Sequence, residues 1–436
     1  MQWLDALDAW LAANPHWLGG TIFVVACIEC LAIAGVIVPG TVVLFAIAAL
    51  AGRGHLGLGE TLLLGYLGGL LGDALSYAIG RSLQQNIRRL PGLRSHPQWL
   101  ARAEGYVERY GVASLLVGRF IGPLRPMLPM VAGMLEMPIP RFALASLVAA
   151  AGWAVAYLLP GWAAGAAVRL PLPAGFWPQA AVVAAGMALL VGLSAYSAWY
   201  RHARTTLLVA ACSFALLLAL LVGWPYLSAL DQGLSALIQE HRSAVLDHWV
   251  VMVTQLGDFR TQLYLGGLLV AVLLLGRQWR PALFASSTLL ATAIANTVLK
   301  ALFGRARPEV LADPLGSYSM PSGHSSGAFA LFLTLAVLAS RGQPPRMRLA
   351  CTFIACIPAL AIASSRVYLG VHWPTDVIAG ILLAASGCAA SFAVSQRFYR
   401  LAPVPLRVWW MLAPVFVAWL FSALHALPHA VMRYEY

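Results

Sequence analysis

Lys300-Ala-Leu-Phe-Gly-Arg-Ala-Arg307-Pro308, Pro321-Ser322-Gly323-His324 and Ser365-Arg366-Val-Tyr-Leu-Gly-Val-His372-Trp-Pro-Thr-Asp376 are three short blocks in one stretch, residues 300–376. They gather one Lys, two framework Arg, two His and a carboxylate in a chain of which only 10% is charged. Apolar segments separate them, and each block stands where such a segment begins or ends. Packing the segments side by side would bring all three to one membrane face. Three fixed cations facing one place imply a bound phosphate, and two His beside them imply its transfer.

The surrounding composition sets the class. The chain has 436 residues, 61% of them hydrophobic, which points to an all-α polytopic membrane protein. The formal charge of +12 does not point to nucleic acid, because Lys and Arg fall between apolar spans rather than along one soluble face. The six Cys lie in or beside apolar segments and read as small buried hydrophobes. Cys27 and Cys30 form a CxxC with no second ligand pair, so neither a metal nor another cofactor is expected. Met1 to Trp10 carries Asp5 and Asp8 without a basic region, unlike a cleaved signal peptide.

Three parts are expected: 1–200, 201–400, and an added transmembrane helix and tail over 401–436. In the first, residues 18–52 are broken at Pro39-Gly40, leaving a piece too short to cross alone; a re-entrant hairpin fits better than one kinked span. Residues 60–80 form a span, and 81–109 a basic loop. Residues 112–138 carry Pro123, Pro126 and Pro129, too many for one straight helix, and form a second broken element. Spans near 142–160 and 177–199 follow. Two broken segments in matching positions hint at an inverted repeat. Intramembrane charges are costly and tend to face cavities, which singles out Glu29, Asp73, Arg119 and Arg125.

In the second part, spans are expected near 206–224, 262–276, 282–302, 323–340, 350–366, 375–395 and 408–427, with a polar loop up to Arg260. If these alternate, Arg201, Arg204, Arg277, Arg280, Arg341, Arg346, Arg348, Arg397, Arg400 and Arg407 share one side, which is then cytoplasmic. The three blocks fall on the opposite, extracytoplasmic face. Pro321 and Pro374 suit first helical positions. Amides near Ser322 and Gly323 would point outward as an anion site. Asp376, four residues past His372, can reach one imidazole nitrogen and fix the tautomer. Arg305 lies outside the pattern and reads as a loop or headgroup contact. Tyr368 and Trp373 read as interfacial aromatics.

Two family resemblances follow. The first half resembles the DedA (SNARE-associated, VTT-type) family. The residues that carry this are Glu29 with Pro39-Gly40; Gly69-Gly-Leu-Leu-Gly72-Asp73 with Tyr77 and Gly80-Arg81; Gly118-Arg119-Phe120-Ile-Gly-Pro123-Leu-Arg125 with Ala132-Gly133; and Gly152-Trp153 with Pro160-Gly161. The resemblance covers about residues 15–170. It implies lipid translocation, with Arg119 and Arg125 on a phosphate headgroup. Thr41 stands where many relatives carry Glu, which weakens proton coupling there.

The three blocks match the type 2 phosphatidic acid phosphatase superfamily, whose pattern is Lys-x6-Arg-Pro, Pro-Ser-Gly-His and Ser-Arg-x5-His-x3-Asp. That resemblance covers about 205–395 and implies a helical-bundle lipid phosphatase that works without metal. His372 would attack phosphorus, oriented by Asp376. His324 would protonate the leaving oxygen and then activate water. Lys300, Arg307, Ser322, Gly323 and Arg366 would hold the phosphate. The substrate expected from the resemblance is a membrane lipid phosphate, best undecaprenyl pyrophosphate, in a multi-pass inner-membrane protein. Phosphatidic acid or phosphatidylglycerophosphate, and a chain that mainly transports with a regulatory phosphatase half, are the alternatives. Vanadate-dependent peroxidase chemistry shares the anion cage but not the membrane setting. A homo-oligomer is compatible with the sequence.

Overall fold

The computed structural model describes the chain except residues 1–13, 33, 38–39, 85, 87–96, 120–125, 170–171, 201, 241, 311–315 and 435–436. The described residues form helices and connections with no strand. Among the described residues, eight helices are long and apolar enough to cross a membrane, and the bent pair Leu246–Gln255 with Phe259–Leu275, taken as one span, brings this to nine. The protein is an all-α, multi-pass membrane protein. It divides into two compact units, Met1–Pro171 and Leu172–Tyr436.

In the first unit, α1 (Pro15–Cys30) and α2 (Gly40–Leu50) pack side by side, joined through the single turn Ala34–Ile37. Neither is long enough to count as a membrane span by itself. α3 (Leu58–Leu83) shows why lipid inverts the usual amphipathic pattern. Leu63, Leu67, Leu71 and Leu75 face outward, while Gly65, Gly68, Gly69 and Gly72 are buried. Lipid gives helices no hydrophobic reason to associate, so small residues that allow close backbone approach form the contact. A Cβ on Gly72 would lie 2.4 Å from the Cys27 carbonyl oxygen. The predicted basic loop contains an amphipathic helix, α4 (Pro97–Tyr110), which buries Leu100, Ala103 and Val107. Two short helices, α5 (Val112–Gly118) and α6 (Met127–Met134), make the second broken element. α7 (Ile139–Arg169) packs against α2, α3 and α5.

The second unit opens earlier than the sequence suggested. α8 (Phe176–Tyr200), expected with the first part, packs here against α9 (Ala203–Gly223). Buried Arg348 explains the attachment. Its Nε donates to Ala198 O at 2.6 Å and its Nη2 to Trp199 O, satisfying carbonyls that end α8. The polar loop expected before Arg260 is also helical: α10 (Ser228–Glu240) and α11 (Ala244–Gln255) occupy it. Asp231, Gln239 and Thr254 on them face protein partners, which loop composition does not reveal. The bundle continues with α12 (Phe259–Leu275), α13 (Trp279–Phe303), α14 (Gly323–Ala339), α15 (Pro345–Tyr368), α16 (Pro374–Phe398) and α17 (Leu406–Arg433). α17 is no separate appendage, since it packs on α11 and α12.

Candidate active site

Helix ends build the site. α13 stops at Gly304, whose φ of +56° suits a residue without Cβ, and the chain then carries Arg305 and Arg307 away from Lys300. α14 starts at Ser322, whose Oγ accepts from Ser325 N at 3.4 Å. α16 starts behind Pro374, and Asp376 Oδ2 accepts from Trp373 N at 2.9 Å. Ser322 N donates to Asp376 O at 2.9 Å, tying these two starts together. A Cβ on Gly380 would sit 2.7 Å from Ser322 O, so the helices meet at backbone distance.

Lys300, Arg307, Gly323, His324, Arg366 and His372 line one cavity of about 710 Å³. Leu263, Val270, Leu289 and Leu331 from α12, α13 and α14 also line it, interleaved with Gln262 and Asn296. Arg307 Nη1 lies 3.0 Å from His372 Nε2 and donates to Val371 O at 2.6 Å. Its Nε donates to Ser317 O at 2.7 Å. Lys300 Nζ donates to Tyr318 O at 2.7 Å. A guanidinium can only donate, so Nε2 of His372 is the acceptor and Nδ1 carries the hydrogen. That hydrogen points to Asp376 Oδ2 and Ser319 Oγ, each 3.4 Å away. Burial holds the His372 imidazolium form well below its ordinary range, reinforced by Arg307, Arg366 and Lys300. The ring is therefore held neutral, and its Nε2 lone pair accepts from Arg307 at the edge of the cavity that both residues line. Ser322 is buried behind the helix start, where its hydroxyl also accepts from Ser325 Oγ at 2.9 Å.

Several partners escaped the sequence reading. Ser319 Oγ donates to Asp376 Oδ2, so the carboxylate is shared between a hydroxyl and the imidazole. Arg305 does not reach toward a headgroup. It is buried, with Nη1 2.7 Å from Asp376 Oδ1 and Nη2 2.6 Å from Asp231 Oδ2. Thr375 closes the cluster, its Oγ1 donating to Asp231 Oδ2 at 2.7 Å. Arg305 stacks over Trp224 at 4.3 Å and Trp373 at 5.7 Å, so Trp373 also serves this cluster and not only the interface. Asp231 sits in a run read as a loop. A carboxylate between Leu230 and Gly233 in a greasy segment was the signal available.

In the first unit, Asp73 and Arg119 come together as a buried pair. Ser146 Oγ donates to the same Asp73 oxygen, and Arg119 lies 5.2 Å over the Trp153 ring. The space beside them is about 10 Å³, near the minimum for one water, so no phosphate fits there in this arrangement. Arg119 thus spends its charge on Asp73. Glu29 is buried on α1, and Arg125 lies outside the described residues.

The VTT domain family matches residues 38–163, and the PAP2 superfamily matches residues 281–400. The chain joins a VTT domain to a PAP2 superfamily domain. The three blocks lie inside the PAP2 domain and the Asp73–Arg119 pair inside the VTT domain. Among curated relatives, the Escherichia coli inner membrane protein YabI is 37% identical over 150 residues, 34% of this chain and 59% of that protein. The Escherichia coli inner membrane protein YqjA is 32% identical over 147 residues, 33% of this chain and 66% of that one. The chain spans about three fifths of the length of the first curated relatives it matches. Among solved structures, a Bacillus subtilis PAP2-type phosphatidylglycerolphosphate phosphatase aligns at TM-score 0.40 and 25% identity, over 44% of this chain and 98% of that one. Aquifex aeolicus LpxE aligns at TM-score 0.32 and 26% identity, over 37% and 94%.

Proposed function

We propose that this protein is an integral membrane lipid-phosphate phosphatase. One observation carries the reading: both imidazoles and three cations line a single cavity together with leucines and a valine from three helices. A phosphate lipid has the matching two-part chemistry. Its charged group fits beside Lys300, Arg307 and Arg366, and its chain lies along α12, α13 and α14.

The His372 tautomer supports a phosphohistidine route in which Arg307 passes from Nε2 to the phosphate and frees the lone pair. His372 Nε2 attacks phosphorus, forming an N–P bond as the P–O bond to the lipid breaks. His324, protonated once the bound phosphate offsets the cations around it, gives that proton to the leaving oxygen and becomes neutral. Water, deprotonated by His324, then attacks the phosphohistidine and releases inorganic phosphate, returning His372 to its neutral form. Asp376 and Ser319 accept the Nδ1 hydrogen and stabilise the positive charge that develops on the ring. Lys300, Arg307, Arg366 and the amides around Ser322 and Gly323 take the charge spread over the phosphoryl oxygens. No step calls on a metal, and chelator-treated enzyme is expected to retain full turnover.

The preferred substrate is a polyprenyl pyrophosphate such as undecaprenyl pyrophosphate, hydrolysed on the extracytoplasmic face of the inner membrane. The side assignment rests on the basic connections expected at the other face. The VTT domain would return the monophosphate inward. Purified protein should release phosphate from undecaprenyl pyrophosphate and lose this with His372→Ala. Equal turnover by the variant would remove His372 as nucleophile. Turnover of phosphatidic acid or phosphatidylglycerophosphate alone would remove the polyprenyl substrate. Movement of a labelled lipid across liposomes that survives His372→Ala would favour transport as the main task.

A further inference from the structure

Arg366 is held from one end. Its Nη1 donates to Thr254 Oγ1 at 2.7 Å and to Tyr434 Oη at 3.0 Å, which uses both hydrogens on that nitrogen. The Tyr434 ring also lies 5.5 Å from the guanidinium carbon. Arg366 Nε is buried without a hydrogen-bond partner among the described residues, and Nη2 makes no hydrogen bond to them either. The side chain is 2% exposed, yet it lines the cavity beside His324 and His372. The Nε and Nη2 hydrogens run parallel, the fork that takes two oxygens of one phosphate.

We propose that Thr254 and Tyr434 are positioning residues that grip Nη1 of Arg366 and so present its Nε–Nη2 edge to two oxygens of the transferred phosphoryl group. Both lie outside residues 281–400, so helices beyond the PAP2 match complete the anion site. Thr254 comes from α11. Tyr434 follows α17 and is itself fixed. Its carbonyl accepts from Arg242 Nη2 at 2.9 Å, Arg242 pairs with Asp247 at 3.2 Å, and Tyr434 packs with Val251, Leu369 and Val371. A free arginine side chain must be ordered at each binding event, and a grip on its far nitrogen removes that cost.

The inference rests on the phosphoryl-transfer reading above. The test uses the full chain in detergent, with orthovanadate as a phosphoryl-group probe and phosphate release as the second readout. Tyr434→Phe keeps the ring and removes one hydrogen bond. It should weaken vanadate inhibition roughly tenfold, as should Thr254→Val, while Thr254→Ser should restore near wild-type inhibition. In an Arg366→Ala background, Tyr434→Phe should change residual kcat/KM by less than about twofold, because its effect passes through Arg366. Unchanged vanadate inhibition in both Tyr434→Phe and Thr254→Val, or a full extra loss in the Arg366→Ala background, would overturn it. Melting temperatures of each variant separate misfolding from lost grip, and the Thr254 pair decides if Tyr434→Phe does not fold. A wild type that hydrolyses lipid phosphate while His372→Ala does not keeps the phosphatase reading standing whatever Tyr434 does. A wild type that neither hydrolyses nor binds vanadate overturns both.

Discussion

Replacing Arg305 with Met tests the buried cluster most directly. The guanidinium stands between two carboxylates, Asp231 and Asp376, at 2.6 and 2.7 Å, and all three side chains are nearly sealed from solvent. Met preserves much of the volume and removes the charge. Two buried carboxylates are then left facing each other across Thr375 without a cation. Removing one partner of a buried pair costs about 3–5 kcal/mol, against a total stability of only about 5–15 kcal/mol. For a unit of this size each kcal/mol moves the melting temperature by roughly 2–4 °C, so a drop on the order of 10 °C is expected. Thermal unfolding in detergent, read by tryptophan fluorescence, measures it. Adding Asp231→Asn removes one stranded charge and should recover part of the loss. The catalytic effect should be separate: with Asp376 no longer anchored on Oδ1, kcat falls by at least about tenfold even well below the melting temperature. A melting shift under about 2 °C, or an Arg305→Met/Asp231→Asn protein less stable than Arg305→Met alone, would refute the assignment of Arg305 as the cation that neutralises this pair.

Other outcomes follow from the same geometry. The acid limb of the rate profile should lie below the ordinary histidine value near 6.5, because burial and three cations hold His372 neutral; a limb at or above 6.5 would contradict the burial argument. The unfolded chain binds that proton near 6.5 and the folded chain only at lower pH. His372 therefore stabilises the fold above about 6.5, and this contribution is lost as pH falls below it, measurable as a falling midpoint in acid. Gly267→Leu places a side chain where a Cβ meets nothing within 4 Å on the cavity wall, so KM should rise for a long-chain lipid phosphate and stay constant for a short water-soluble ester. Arg119→Met should destabilise the first unit by about 3–5 kcal/mol by stranding Asp73, and Asp73→Asn added to it should restore part of that in a melting experiment.

The broken helices show what local chemistry can and cannot decide. Proline density over 112–138 forbids one straight helix, and the observed α5 and α6 obey that limit. The cost of charges inside a membrane singled out Asp73 and Arg119. It did not reveal that each is the other's partner, because residues 46 positions apart meet only through the packing of α3 against the turn after α5. The same holds for Asp231, which lies 74 positions from Arg305. A charge in an apolar run announces that it needs a partner; its sequence position does not say which.

By itself the sequence determined the class and which residues are candidates for the chemistry. Hydrophobic composition required membrane spans, and the order of Lys300, Arg307, His324, Arg366, His372 and Asp376 marked three cations, two imidazoles and a carboxylate as one candidate site, since both depend on residue type and short spacing. Tertiary structure alone decided the company these residues keep. Ser319, Arg305, Asp231, Thr254 and Tyr434 reach the site from other helices and connections. Burial in a low-dielectric interior makes a hydrogen bond at 2.7 Å strong and an unpaired charge costly, and only the fold sets that distance.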